Sequence, residues 1–149
     1  MTAALERGDP GEAARQGALA GPVIVEQALH ATSRTTRLAA ILAAPTTEDR
    51  AELLPALSEL AAGPDRRTAI PAARAARTIA IELSHHDLPD DLAPEDVAAW
   101  RARFESIAKD TDHFVEVRVL ALETADALGG YDHAAFASDP DPLVRASAK

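Results

Sequence analysis

A stop signal follows every helical stretch of this sequence, and that rhythm constrains the fold more than any single motif. "PVIVEQALH" (22–30) carries Val25, Ala28 and Leu29 at helical spacing. "ATSR" turns the chain, with Ser33 placed to cap "RTTRLAAILAA", where Leu38, Ile41 and Leu42 form an i, i+3, i+4 stripe before Pro45. In "TTEDRAELLPALSELAAG" (46–63), Thr46 and Asp49 have capping-box spacing, Pro55 is expected to kink the helix or split off its first turns, and Gly63-Pro64 stops it. Helices are further expected over 65–86 (with Pro71 tolerated only in the first turn), over 94–110 behind Pro94, and over 114–130 up to the paired glycines. Residues 3–19 read as a short, weakly amphipathic helix broken around Gly8–Gly11. On the 94–110 helix, Val97, Trp100, Phe104 and Ile107 make the expected core stripe.

What fills these short helices is alanine, at 35 of 149 positions, while aromatic residues supply 3%. Alanine ranks highest in helix propensity, and the β-branched and aromatic residues that favour strands are sparse, so the chain is expected to be all-α. A net charge of −9 argues against general affinity for nucleic acid or anionic membrane. No segment approaches the roughly 18 continuous apolar residues of a membrane span, and the start has no signal-peptide pattern. The chain is expected to be soluble, cytoplasmic by default, or periplasmic if an upstream signal is removed. No cysteine is present to form disulfides or thiolate metal sites. Arginine outnumbers lysine 13 to 2, which with the alanine excess hints at a GC-rich bacterial genome.

The rhythm of helix, tight turn, helix and looser loop repeats along the chain. Aligning "SRTTRLAAILAA" (33–44), "FVEVRVLALETA" (114–125) and "DPLVRASA" (141–148) makes Arg37, Arg118 and Arg145 coincide. Ser33, Asp65 and Asp141 sit in the turns just before the repeated helices, and Ala69 stands where an arginine would fall in the 65–76 copy. Internal similarity of paired helices at such spacing is the mark of an α-solenoid. "DPLVRASA", with partial matches in "VRVLALETADAL" and "SRTTRLAAILAA", resembles the second helix of HEAT repeats. The resemblance implies an α-α superhelix of about three helical pairs plus a partial terminal repeat. It implies a single domain over 1–149, with 1–20 as a lead-in and the repeats over 21–149. It also implies an inter-repeat hydrogen-bonded ladder through Arg37, Arg118, Asp141 and Arg145.

Chemistry-bearing motifs are sparse. "SHHDLPDD" (84–91) gathers His85, His86, Asp87, Asp90 and Asp91, but adjacent histidines at a helix end point about 100° apart and no HxxxH-type pair occurs. No nucleophile elbow, phosphate loop or dinucleotide fingerprint is present, so no metal, cofactor or catalytic residue is assigned and the chain is not expected to be an enzyme. On the 65–86 helix, residues 69, 72, 73, 76, 79, 80 and 83 share one face. Ile70, Arg74, Arg77 and Ile81 share the other, with Arg66 and Arg67 at its start. The 114–130 helix carries Glu116, Val119, Glu123 and Asp126 along a stripe of opposite sign. These residues read either as an inter-repeat salt-bridge lattice or as a two-signed surface for a protein partner.

A non-catalytic interaction module, acting as scaffold or adaptor through its concave face, is therefore expected. The alternatives are a regulatory or lyase-type subunit acting on a partner protein and a nucleic-acid-directed relative, which the acidic charge disfavours. At the C-terminal end, the final helix with Leu143 and Val144 looks too short to cover its neighbour. That end is expected to meet a second copy of the chain or a continuation of it, unless Tyr131 and Phe136 fold back over the face.

Overall fold

The computed structural model describes residues 10–86 and 92–149, and among these every regular element is helical, with no strand. Contacts divide the chain into two compact units, Met1–Ile79 and Ala80–Lys149.

In the first unit, α1 (Pro10–Ala20) and α2 (Pro22–Leu29) are separated by Gly21, whose φ of 90° turns the chain at once. Both helices open on proline, which costs nothing where the amide has no helical acceptor. α3 (Arg34–Ala43) begins behind Ser33, whose hydroxyl accepts from the Thr36 amide at 3.4 Å. α1 and α2 both pack on α3, and α2 also meets α4 (Leu54–Ala62). After Pro45 the chain does not restart with a capping box. Thr46 instead turns its hydroxyl back to the Ala43 carbonyl in a 3₁₀ turn, Ala44–Thr46, and Asp49 adopts a left-handed φ of 51°. A second 3₁₀ turn, Arg50–Leu53, leads into α4, so Pro55 does separate the first turn from the helix.

The buried face of α3 also departs from the sequence reading. Ala39, Ala40, Ile41 and Ala43 are buried, whereas Leu42 is 58% exposed and Leu38 is half-buried. α3 has two apolar arcs, one of Ala39, Ala40 and Ala43 and one of Leu38 and Leu42, and hydrophobic spacing alone does not say which packs. Small side chains permit close approach, and here the alanines take the inner positions. Val25, Leu29, Leu53, Leu54 and Leu57 complete this core, all fully buried.

α5 (Arg66–His85) runs from the first unit into the second and contains Pro71 as its sixth residue, beyond the first turn to which the sequence reading confined it. The proline ring removes the amide that would have bonded the carbonyl four residues back, at Arg67.

In the second unit, α6 (Pro94–Lys109) carries Glu95 and Asp96 in its first turn, where acids complement the helix dipole. It packs against α7 (Val115–Ala127), which packs in turn against α8 (Pro142–Ser147). Phe104 is fully buried with Val97, Ile107 and Ala108 close to it in exposure, but Trp100 is only half-buried. α7 ends in the two glycines: the Gly129 amide donates to Asp126 and the Gly130 amide to Ala125, both residues having positive φ, the geometry of a Schellman stop. Among the described residues no helix is long and apolar enough to cross a membrane.

Candidate functional site

The outward face of α5 is set by what its inward face needs. Ala69, Ala72, Ala73, Ala76, Ile79 and Ala80 are all fully buried, as the spacing foretells, but Leu83, expected on the same face, is only half-buried. At 3.6 residues per turn this leaves Arg67, Ile70, Arg74, Arg77 and Ile81 turned away. Arg66, Arg67 and Arg74 are exposed, and Ile70, Arg77 and Ile81 are half-buried. Arg66 through Arg77 belong to the first unit, while Ile81 lies in the stretch of α5 assigned to the second. On α7, in the second unit, Val119 and Glu123 are half-buried and Asp126 is exposed.

The ladder arginines are held by carbonyls and by carboxylates that the sequence reading did not choose. Arg37 donates through Nη1 to the Ala31 and Thr32 carbonyls at 2.8 and 2.7 Å. Arg145 repeats this at the same offsets of six and five residues, bonding the Asp139 and Pro140 carbonyls. Arg118 is 2% exposed; its Nε donates to the Ala108 carbonyl at 2.8 Å, and its two terminal nitrogens grip both oxygens of Asp139. Asp141, the expected ladder carboxylate, instead caps α8 by accepting the Leu143 amide at 2.8 Å. Asp139 takes the ladder place because it lies on the turn within reach of α7, whereas Asp141 is committed to its own helix. The doubled "DPDP" offered both aspartates. No local spacing distinguishes them: the choice rests on the distance between this turn and α7.

Burial pushes the Asp139 carboxyl upward, but the Arg118 bonds and the Asp141 amide outweigh it and hold the group below the ordinary carboxylate range. In the first unit Arg34, absent from the sequence reading, makes the comparable bond: its Nε donates to Asp65 at 2.9 Å. The Thr68 hydroxyl, helped by Arg34 and the Arg67 amide, keeps Asp65 below its usual value against the opposing effect of burial. Nearby, His30 Nδ1 lies 3.0 Å from the Glu26 carbonyl and Nε2 lies 3.3 Å from the Glu59 carboxylate, two acceptors to which the protonated ring donates and which raise its pKa. His30 and Glu59 border a groove of about 310 Å³ with Arg37, Asp65 and Thr68.

A second groove in the first unit, of about 200 Å³, is lined by Ile41, Leu42, Pro45, Pro71, Arg74, Ala75 and Thr78. At the end of the chain, Tyr131 meets Phe136 edge-on at 5.6 Å and stacks on His133, whose ring nitrogen lies 2.7 Å from the Ala148 carbonyl. Phe136 and Val144 are buried there, and Leu143 is 61% exposed. Among the described residues no three metal-ligating side chains come together; Asp87, Asp90 and Asp91 lie outside those residues. Every buried side-chain nitrogen and oxygen among the described residues has a hydrogen-bond partner.

Compared with protein-family models, curated proteins and solved structures, the chain matches none of them. Its function is therefore argued from its own residues.

Proposed function

We propose that this chain is a non-catalytic protein-interaction module built as a short HEAT-like solenoid, in which the outward face of α5 receives a protein partner. The observation that carries this reading is the division of α5 into a fully buried alanine face and an opposite face of arginines and isoleucines. A helix side that combines solvated guanidinium groups with half-buried apolar residues resembles the composition of interface cores, where arginine is enriched. Two internal parallels support the repeat architecture. Arg34–Asp65 and Arg118–Asp139 each link a helix arginine to the aspartate of a later turn, and Arg37 and Arg145 make the same pair of carbonyl bonds.

The test is site-specific photo-cross-linking in cells of the source organism, with the reactive group at Ile70 and a control at exposed Ala102 on α6. One dominant adduct from Ile70, absent from Ala102 and lost with Arg67→Glu plus Arg74→Glu, is the expected result. Identical adduct patterns from the two positions would overturn the reading.

A further inference from the structure

The 200 Å³ groove beside α5 has a composition that says more about its occupant than the α5 face alone. Its lining is largely apolar: Ile41 and Ala75 are buried, and Pro45 in the 3₁₀ turn after α3 and Pro71 within α5 join them. Leu42 leaves more than half its surface in water at the rim, although the alanines around it on α3 are buried. A leucine at 58% exposure forgoes part of the stabilisation that full burial would supply. The same rim carries Arg74, exposed and without a hydrogen bond or ion pair from its guanidinium among the described residues. Arg67, seven residues earlier, is likewise exposed, and its backbone amide donates to Asp65 while its guanidinium has no hydrogen bond or ion pair among the described residues. Seven residues are nearly two helical turns, so the two guanidinium groups rise from one side of α5 about 10 Å apart along its axis. The polar group on the groove wall one turn beyond Arg74, the Thr78 hydroxyl, is already spent on the Arg74 carbonyl at 3.1 Å.

An apolar slot with a solvated arginine at its edge, and a second two turns away, selects by both shape and charge. We infer that the groove takes one apolar side chain of an acidic helical segment from a partner protein, whose carboxylates, two turns apart, meet Arg67 and Arg74. This rests on the interaction-module reading and narrows it to a partner chemistry. Charge complementarity argues for this occupant. The chain carries −9 overall, so a cationic strip is a local exception whose natural complement is a short acidic stretch rather than a long polyanion. Nucleic acid would need several phosphate contacts in register, and its bases would find a slot walled by prolines and aliphatics without an aromatic ring. A second copy of the chain would bury Leu42 without requiring any peptide.

The probe is a synthetic 16-residue amphipathic helix with one central leucine and glutamates seven residues apart on either side of it. Matched peptides carry lysine in place of glutamate, or serine in place of leucine. Titration into uniformly ¹⁵N-labelled full-length protein is read by amide shifts. The acidic peptide is expected to give saturable shifts centred on Ile41, Leu42, Ala75 and Thr78. Leu42→Glu or Arg74→Glu should each weaken binding at least tenfold; Leu42 and Arg74 lie at the surface, and circular dichroism checks that both variants stay folded. Arg67→Glu plus Arg74→Glu should reverse the preference towards the lysine peptide, an outcome that a merely structural effect would not produce.

The inference is overturned by any of four results: no saturable shifts, shifts centred elsewhere, equal binding by the serine peptide, or tighter binding of a single-stranded oligonucleotide to the same residues. Shifts at Leu42 that disappear on dilution without peptide would assign the groove to self-association and overturn it too. If the peptide fails while the Ile70 cross-link persists, the interaction module stands and only the partner chemistry falls.

Discussion

In the unit spanning Met1–Ile79, the large side chains that are fully buried are aliphatic: Val25, Leu29, Leu53, Leu54, Leu57 and Ile79. In Ala80–Lys149, Phe104, Phe136 and the guanidinium of Arg118 stand among Val117, Leu122 and Val144 in the same role. Both units contain an arginine bound to the aspartate of a later turn, yet the Arg34 and Asp65 side chains are 50% and 33% exposed, against 2% and 5% for Arg118 and Asp139. The chemistry is shared and the solvent is not. Water screens the first pair and satisfies either partner if the other is lost, whereas the second pair depends on itself. One kind of bond can thus be an ornament in one place and a structural necessity in another, with burial deciding which.

That contrast is tested most severely at Asp139. Asp139→Ala leaves the Arg118 charge buried with only the Ala108 carbonyl and should cost about 3–5 kcal/mol in chemical denaturation. Because the native carboxyl titrates below its ordinary value of 3.8, the bond's contribution is present above that pH and is lost as the pH falls through the depressed native value. The difference between wild type and Asp139→Ala should therefore narrow only in strong acid; a difference that faded near neutrality would contradict the assignment. Replacing both partners, Arg118→Met with Asp139→Leu, should recover much of the loss.

Next in size is the aromatic part of the same core. Phe104→Ala should cost about 3–5 kcal/mol, and Trp100→Ala, on the same helix but half-buried, clearly less. Equal losses would mean that Trp100 is as enclosed as Phe104. In the first unit Asp65→Ala should produce less than about a quarter of the Asp139→Ala effect in the same assay. A comparable loss would erase the distinction drawn between the two pairs. The smallest expected effect belongs to His30. Its pKa is raised by the Glu26 carbonyl and then by Glu59, so the stabilisation is complete below the ordinary value of 6.5 and is lost as the pH rises through the higher native value. His30→Gln should differ from wild type by under about 1 kcal/mol in mild acid, and by nothing measurable in alkali.

Much of this was legible from local chemistry. Ser33, Pro55, Pro94 and Gly129-Gly130 act on backbone groups within a few residues of themselves, so short sequence windows contain both the cause and its effect. The buried face of α5 was legible because isoleucine and alanine on one side confront arginines on the other. α3 was not, because its alanines form one apolar arc and its two leucines another, and hydrophobic spacing points to the leucines where packing uses the alanines. The partner of Arg118 was hidden for a related reason: choosing Asp139 over Asp141 depends on the distance between a turn and a helix 21 residues earlier. As for the α5 face, periodicity located Arg67 and Arg74, but Leu42 joins them only through the folding of α3 against its neighbours.

The glycine pair that closes α7 has a stereochemical consequence. At Gly130 φ is +101°, and a Cβ built there would meet nothing within 4 Å. Space is free and only the backbone objects, so the site distinguishes mirror images without touching them. An L-alanine would carry the strain of the wrong hand, while a D-alanine would sit at ease and narrow the freedom of the unfolded chain. The place where the helix ends is thus chiral in its demand, although the residue that nature puts there is the one amino acid with no chirality at all.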